Sequence, residues 1–192
     1  MKIYFIASLY GKEKYNSNYV AIVEALKFLG HKVISSHVLS KTVMDIKNQN
    51  DDDREKYYKQ MISWMNSADL VVAEVTSPSS SVGHELTVAL EKEKPVVALA
   101  YNGVAPNIFY GIKEDKFELI EYENLNLRQL SKILSKALQH AQDSMDIRFN
   151  FFISPKMSRF LEWVSKDRMI PKAVFLRRLI EQEIDKSKDF LG

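Results

Sequence analysis

Asp69-Leu70-Val71-Val72-Ala73-Glu74-Val75 is the stretch that decides the fold of this chain. Its apolar residues occupy both alternating faces of an extended segment, which is typical of a strand buried on both sides in a parallel sheet. A serine-rich loop, Ser77–Ser81, follows the strand, and Val82–Glu93 has the apolar spacing of a helix. This strand-loop-helix unit predicts an α/β architecture.

Four further segments, on either side of this one, have the length and composition of strands. Together the predicted strands are Lys2–Ser8, Lys32–Val38, Asp69–Val75, Pro95–Ala100 and Phe117–Glu121. Helical spacing falls in residues 20–29, Arg54–Asn66, Val82–Glu93 and Leu125–Gln142, while Gly11–Ser17 is predicted to be a turn. The alternation predicts a flavodoxin-like or Rossmann-like five-stranded parallel sheet. In such sheets ligands bind outside the carboxyl ends of the strands. The loops after strands one, three and four therefore form the candidate ligand-binding edge of the sheet.

The composition excludes several classes of protein. The chain has 192 residues, of which 46% are hydrophobic and 27% charged, as in globular rather than disordered proteins. It has no cysteine, which excludes disulfides and thiolate metal sites, and its four histidines show no ligand spacing, so neither metal nor cofactor is expected. No apolar run is long enough for a membrane span, and residues 1–7 are too short for a signal sequence, so we expect a cytosolic protein without membrane contact.

Charge is distributed unevenly along the chain. Residues 144–180 carry eight Lys and Arg against three Asp and Glu, whereas residues 1–143 carry 17 against 18. Scatter in a short segment and a separate basic module both explain this difference, and basic modules often bind phosphate. The polar, unpatterned stretch at 140–146 is the predicted boundary between a domain at 1–142 and a module at 147–185.

Glu85 is the carboxylate that this arrangement places at the ligand-binding edge. We predict it in the first turn of the helix after strand three, where the helix dipole favours the charged form. A charged carboxylate at such an edge suits the nucleophile of a glycosidic reaction, and an ordinary helix-terminal charge is the alternative interpretation.

Two motifs indicate a family. Residues 68–76, continued by Ser77-Pro78 and by Gly83-His84-Glu85-Leu86, resemble the nucleoside 2-deoxyribosyltransferase family. Within that family they are most similar to the 2'-deoxynucleoside 5'-phosphate N-hydrolase branch. Residues 3–11 resemble the first strand and substrate loop of the same family, and the likeness extends over about residues 2–140.

The resemblance implies a mechanism and a set of site residues. Glu85 would attack C1' of a deoxynucleoside or deoxynucleotide, expel the base and form a glycosyl ester that water or a second base resolves. Tyr4 would orient Glu85, although an ordinary strand tyrosine is the alternative. The implied substrate-binding residues are Ser8, Leu9, Gly11, His37, Ser79, Ser81 and Gly83. His37 would lie beside the base, and a surface histidine is its alternative interpretation.

The chain departs from the family pattern at several positions. Met61 stands where the family has the acid near the leaving base, and Glu74 is the candidate substitute. Tyr10 replaces an arginine of the hydrolases, which weakens the case for a 5'-phosphate. Asn107 matches the asparagine that a neighbouring subunit contributes in the transferases, which implies a homo-oligomer.

Residues 147–185 resemble the ribbon-helix-helix module, which forms dimers through a two-stranded ribbon. The predicted strand is 147–153, followed by helices that begin at Ser154-Pro155 and at 170–172. Arg148 and Asn150 would read bases in the major groove, and Lys172 would hold phosphate. DNA binding and oligomerisation alone are both open for this module. The chain is therefore predicted to be an N-glycosidase or, alternatively, a nucleotide-sensing DNA-binding protein.

Overall fold

The structure is a computed structural model that describes residues 1–123, 125–143 and 151–187. Its described residues fall into two compact units, one within 1–146 and the other within 147–192.

The first unit is a parallel sheet with helices on both faces. Its strands are β1 (Lys2–Ala7), β2 (Lys32–Ile34), β3 (Leu70–Glu74), β4 (Val96–Tyr101) and β5 (Phe117–Tyr122). Its helices are α1 (Lys12–Phe28), α2 (Ser36–Leu39), α3 (Val43–Lys47), α4 (Asp51–Ser67), α5 (Ser80–Glu91), α6 (Asn107–Tyr110) and α7 (Leu127–Asp143). The strands are all parallel, in the order β2-β1-β3-β4-β5. This is the flavodoxin-like order, with its switch point between β1 and β3, and it confirms the predicted fold class.

Alternation along the strands divides the core into two layers. Ile3 and Phe5 of β1 pack with α1 and α7, whereas Tyr4 and Ile6 pack with α4 and α5. Tyr4 is paired with Val71 of β3. Successive side chains of a strand point to opposite faces, so each position of β1 and β3 belongs to one layer or the other.

Three element boundaries differ from the prediction by three residues or more. Helix α1 begins at Lys12, inside the predicted turn, because its exposed polar first turn shows no apolar spacing. Strand β2 ends at Ile34, since only Lys32–Ile34 pair with β1, and the chain then turns into α2. Helix α4 begins at Asp51 because Asn50 and Asp53 form a capping box there.

The second unit consists of α8 (Pro155–Asp167) and α9 (Lys172–Lys186), at the two predicted helix positions. The Ser154 side chain caps α8 by accepting from the Met157 backbone N–H, and the buried contact between the helices consists of Leu161, Val164 and Phe175. Residues 151–153 form no strand, because a strand needs a partner for its backbone hydrogen bonds and the described part of one chain offers none. The rest of the predicted strand, 147–150, lies outside the described residues. Over the described ranges, no helix has the length and apolarity to cross a bilayer.

Candidate active site

Glu85 and Tyr4 form a buried pair at the switch point of the sheet. The Tyr4 hydroxyl donates a 2.6 Å hydrogen bond to Glu85 Oε2. Tyr4 has no exposed surface and Glu85 is 8% exposed. The prediction that Glu85 lies in the first turn of its helix is wrong, because α5 begins at Ser80 and Glu85 is in the second turn.

Burial has the largest effect on the pKa of Glu85. Loss of water raises the pKa of its carboxyl to about 7, against a usual value of 4.5, and the hydrogen bond from Tyr4 opposes part of this rise. Since Glu85 is in the second turn, the helix terminus favours its charged form less than it would in the first turn. The carboxyl is about half ionised near neutral pH, so a nucleophilic role requires its deprotonated fraction.

Glu85 opens onto a cavity of about 350 Å³, called here the Glu85 cavity. The residues that line it are Ile6, Ala7, Leu9, Tyr10, His37, Val38, Ile46, Gln49, Tyr57, Ser79, Ser81, Val82 and Glu85. Leu9, His37, Ser79 and Ser81 thus lie with Glu85, as the resemblance implies. A neighbouring cavity of about 400 Å³ shares Gln49, Tyr57, Ser81 and Glu85 with it. Glu85 therefore adjoins both cavities.

Ser8 and Gly11 belong to the loop after β1, whose neighbouring residues Leu9 and Tyr10 line the Glu85 cavity. Ser8 is buried, and its Oγ accepts a 3.2 Å hydrogen bond from the Gly11 backbone N–H. A Cβ at Gly11 would lie 2.4 Å from the Ser77 Cβ, so only glycine allows the loop after β1 to approach the loop after β3 this closely. Neither residue lines the cavity, and we therefore assign them to the shape of the loop.

His37 is part of an aromatic stack beside Glu85. Its ring lies 4.9 Å from the Tyr4 ring and 4.8 Å from the Trp64 ring, and it is 4% exposed, which excludes the surface alternative. Burial and the positive charge of Lys41 lower its pKa to about 4, although the Phe5 backbone partly opposes this, so the ring is neutral. Its nitrogens make no hydrogen bond of ordinary geometry with the described residues. His37 also lines the Glu85 cavity, so it can meet a ligand there.

Glu74 lies on the opposite face of the sheet. It is paired with Ala7 in the register and belongs to the α1 and α7 layer. Its Oε1 accepts hydrogen bonds from Thr76 Oγ1 and, at 3.2 Å, from the Tyr122 hydroxyl. Burial raises its pKa to about 7, and these bonds oppose the rise. The prediction that Glu74 replaces the acid near the leaving base is wrong, because the sheet separates it from Glu85 and it lines neither of the two cavities.

Sequence comparison identifies a family for the chain that has this fold and this pairing of Tyr4 with Glu85. The model described as nucleoside 2-deoxyribosyltransferase matches residues 3–121. The chain belongs to the nucleoside 2-deoxyribosyltransferase family. The predicted family resemblance is thereby confirmed.

Several relatives carry more specific names. The 5-hydroxymethyl-dUMP N-hydrolase of Rattus norvegicus is 34% identical over 97 residues, which cover 50% of this chain and 59% of the rat protein. A protein of Thermofilum pendens, provisionally named 2'-deoxynucleoside 5'-phosphate N-hydrolase 1, is 31% identical over 129 residues, covering 66% of this chain and 88% of that protein.

Solved structures share the fold. The CMP N-glycosidase of Clostridium botulinum superposes with a TM-score of 0.52 at 16% identity, covering 71% of this chain and 99% of that one. A 2-deoxyribosyltransferase of Bacillus psychrosaccharolyticus superposes with a TM-score of 0.50 at 19% identity, covering 66% and 88%. At these identities the likeness establishes the architecture alone.

Gly83 and Asn107 lie apart from the Glu85 cavity. Gly83 lines a largely apolar cavity of about 430 Å³ on another flank of α5, and its role in the close approach of a substrate stays a prediction. Asn107 is the exposed first residue of α6 and lines neither of the cavities that Glu85 lines. A role for Asn107 in a neighbouring subunit stays a prediction.

Sequence reasoning missed Tyr57, which lines both cavities. Met61 is buried and lines the second of them, beside Glu85. Tyr57 precedes Met61 by four residues and therefore lies on the same face of α4. This i, i+4 spacing is the signal that could have found it.

The remaining predicted site residues, Arg148, Asn150 and Lys172, belong to the predicted C-terminal module. Arg148 and Asn150 lie outside the described residues. The Lys172 ammonium lies 3.3 Å from Glu162 Oε1, and both side chains are about half exposed. In the described part of the chain no cluster of three or more histidine, aspartate or glutamate side chains could hold a metal ion.

Proposed function

We propose that this chain cleaves the N-glycosidic bond of 2'-deoxynucleosides or their 5'-monophosphates, with Glu85 as the nucleophile. The observation that carries the proposal is the buried Glu85 carboxylate, hydrogen-bonded by Tyr4 and open to a cavity at the sheet switch point. Membership in the family and the names of the relatives support the same class of reaction.

The hydrogen bond from Tyr4 supports different tasks for the two oxygens of Glu85. Tyr4 donates to Oε2 and fixes the orientation of the carboxylate, which leaves Oε1 to attack C1'. The electron pair of the C1'–N bond departs with the base, and a glycosyl ester forms on Glu85. Water then cleaves the ester in hydrolysis, whereas a second base does so in transfer.

The serines at the start of α5 and the loop after β1 are the proposed contacts for the rest of the substrate. Ser79 caps α5 by accepting from the Val82 backbone N–H, and Ser81 lines the cavity one turn before Glu85. Leu9 and His37 line the same cavity. The relatives' names favour a 5'-phosphate, and the neutral Tyr10 in place of the family arginine favours a free nucleoside.

Base release measures this function directly. The full chain is incubated with the common 2'-deoxynucleosides and, separately, with their 5'-monophosphates, and free base is quantified by chromatography. Glu85→Ala should lower turnover by several orders of magnitude, because covalent catalysis loses its attacking group. Glu74→Gln is the matched control, since it alters a buried carboxyl on the opposite face of the sheet. A folded Glu85→Ala protein with near-native turnover would contradict the assignment.

A second candidate function rests on the C-terminal unit. Within residues 151–187, this unit exposes ten large apolar side chains, namely Phe151, Phe152, Ile153, Met157, Phe160, Trp163, Met169, Leu179, Ile180 and Ile184. Burial of each contributes roughly 1.5–3 kcal/mol, enough to favour pairing with a second copy. We infer a ribbon-helix-helix-like dimerisation module, and its basic sequence supports binding to DNA by a nucleotide-sensing protein.

Truncation after Gln142 and salt titration separate these roles. Loss of the unit should lower the oligomeric state in light scattering. If the unit binds DNA, Arg148→Ala should weaken a specific sequence by about 1–3 kcal/mol, whereas Lys172→Ala should weaken all sequences alike and reduce the salt dependence. An unchanged oligomeric state would contradict dimerisation through this unit. Absence of salt-sensitive binding to any DNA would leave oligomerisation alone.

A further inference from the structure

The reaction proposed above lacks a group that assists the leaving base. Negative charge develops on the base as the glycosidic bond breaks, and a nearby proton donor lowers this barrier. Met61 is apolar, Glu74 lies on the other face of the sheet, and His37 is neutral with a pKa of about 4. Met61 and Glu74 therefore offer no donor at this site, and the neutral His37 offers only a ring N–H, in the first of the two cavities that Glu85 lines.

Tyr57 stands where such a donor is needed. It lies one helical turn before Met61 on the same face of α4, and it lines both cavities that Glu85 lines. Its ring meets the Trp64 ring edge-on at 6.2 Å, and Lys41 Nζ lies 5.1 Å from its centroid. These two contacts hold the ring in a defined position beside the carboxylate.

The Tyr57 hydroxyl is available to a ligand. It makes no hydrogen bond with the residues that the structure describes. Burial, followed by the negative charge of Glu85, raises its pKa to about 12, so the hydroxyl keeps its proton at neutral pH. A neutral phenol is a hydrogen-bond donor that does not require a particular pH within the working range.

Gln49 and Ser81 also line both cavities, but an amide N–H and an aliphatic hydroxyl are weaker acids than a phenol and so weaker donors to a developing negative charge. Other donors near Glu85 have different partners or positions. Arg54 forms a 2.8 Å ion pair with Asp51 at the surface. Tyr58 stacks on His84 and lines only the second cavity. Tyr10 belongs to the loop after β1 and is 67% exposed. Tyr57 is therefore the tyrosine of α4 that both cavities share.

We propose that Tyr57 donates a hydrogen bond to the departing base and replaces the acid that Met61 lacks, an inference that rests on the proposed function. As Glu85 Oε1 bonds to C1', the C1'–N electron pair moves onto the base, and Tyr57 stabilises this charge while keeping its own proton. Water then cleaves the ester, returns Glu85 as the carboxylate, and supplies the proton that neutralises the base.

A series of leaving groups tests this role. The full chain and its Tyr57→Phe variant are assayed with 2'-deoxyuridine and 5-fluoro-2'-deoxyuridine, or with their 5'-monophosphates if those are the better substrates. Fluorine makes the base a better leaving group, so it depends less on a donor. Tyr57→Phe should lower kcat about 10- to 100-fold for the unsubstituted base and distinctly less for the fluorinated base. Tyr58→Phe, a matched change on the same helix, should leave the ratio of the two rates unchanged.

Addition of Met61→Asp provides a second measurement. In the Tyr57→Phe background it should recover part of the lost rate for the poor leaving group, because a protonated carboxyl can take over the task. An equal loss with both bases, or no loss, in a folded Tyr57→Phe protein overturns the inference while the proposed function stands. Absence of base release by the unmodified chain from every substrate overturns the proposed function itself.

Discussion

Replacement of Tyr4 by phenylalanine removes the hydrogen-bond donor recorded at the Glu85 carboxylate. The bond is 2.6 Å long, and Tyr4 is fully buried. A hydrogen bond to a charged group contributes about 1.5–3 kcal/mol, and each 1.4 kcal/mol moves a pKa by about one. The pKa of Glu85, about 7 in the unmodified protein, should therefore rise to about 8–9 in Tyr4→Phe.

This change predicts a specific pH profile. At pH 7 the ionised fraction of Glu85 should fall from about one half to about 1–10%, so kcat/KM should fall roughly 5- to 50-fold. Because ionisation is complete again at high pH, the deficit should narrow toward pH 10. In both proteins the rate should rise with pH as Glu85 loses its proton, about pH 7 in the unmodified chain and higher in the variant.

The assay is base release measured between pH 5.5 and 10, together with ¹³C NMR titration of the Glu85 carboxyl in glutamate-labelled protein. Tyr122→Phe is the matched control, because it removes a buried hydroxyl that donates to the other buried carboxylate, Glu74, at 3.2 Å. This control should leave the acid limb of the profile in place. An unshifted acid limb in folded Tyr4→Phe protein would refute the reasoning about Glu85.

Three further predictions concern the surroundings of the site. The pKa of Glu74 is about 7 when folded against a usual 4.5, so its contribution to stability is complete below pH 4.5 and is lost as the pH rises through 7. Glu74→Gln should therefore reduce the fall in unfolding free energy between pH 5 and 8 by roughly 3 kcal/mol, as measured by urea denaturation. Gly11→Ala places a Cβ 2.4 Å from the Ser77 Cβ and should lower the unfolding free energy by about 1–3 kcal/mol. A melting temperature equal to that of the unmodified chain would argue against the close approach of the two loops. Ser79→Ala removes the cap of α5 and should cost about 1 kcal/mol of stability, which thermal unfolding would detect, and an equal melting temperature would speak against the cap.

Much of the fold follows from the sequence because its signals are local. A strand buried on both faces has to be apolar throughout, so Leu70–Glu74 is visible as a continuous run, and the alternation of such runs with helical spacing predicts a parallel sheet. The family motif placed Tyr4 and Glu85 at one edge, and the structure joins them by a hydrogen bond. The first residues of α1 and α4 were harder to predict, because the first turns of these helices are polar and exposed and show no apolar spacing.

Tertiary structure alone decided how the carboxylates are used. Whether Glu74 and Glu85 meet depends on the register between β1 and β3, which pairs residues almost seventy positions apart and sends Glu74 to the other face. The pKa of Glu85 rises because burial among several distant segments removes water from its carboxyl, whereas the sequence suggests only the local effect of a helix terminus. Tyr57 likewise joins Glu85 only because α4 and α5 pack on the same face of the sheet. Local pattern therefore determines the elements, whereas charge state and the grouping of side chains require contacts between residues far apart in the chain.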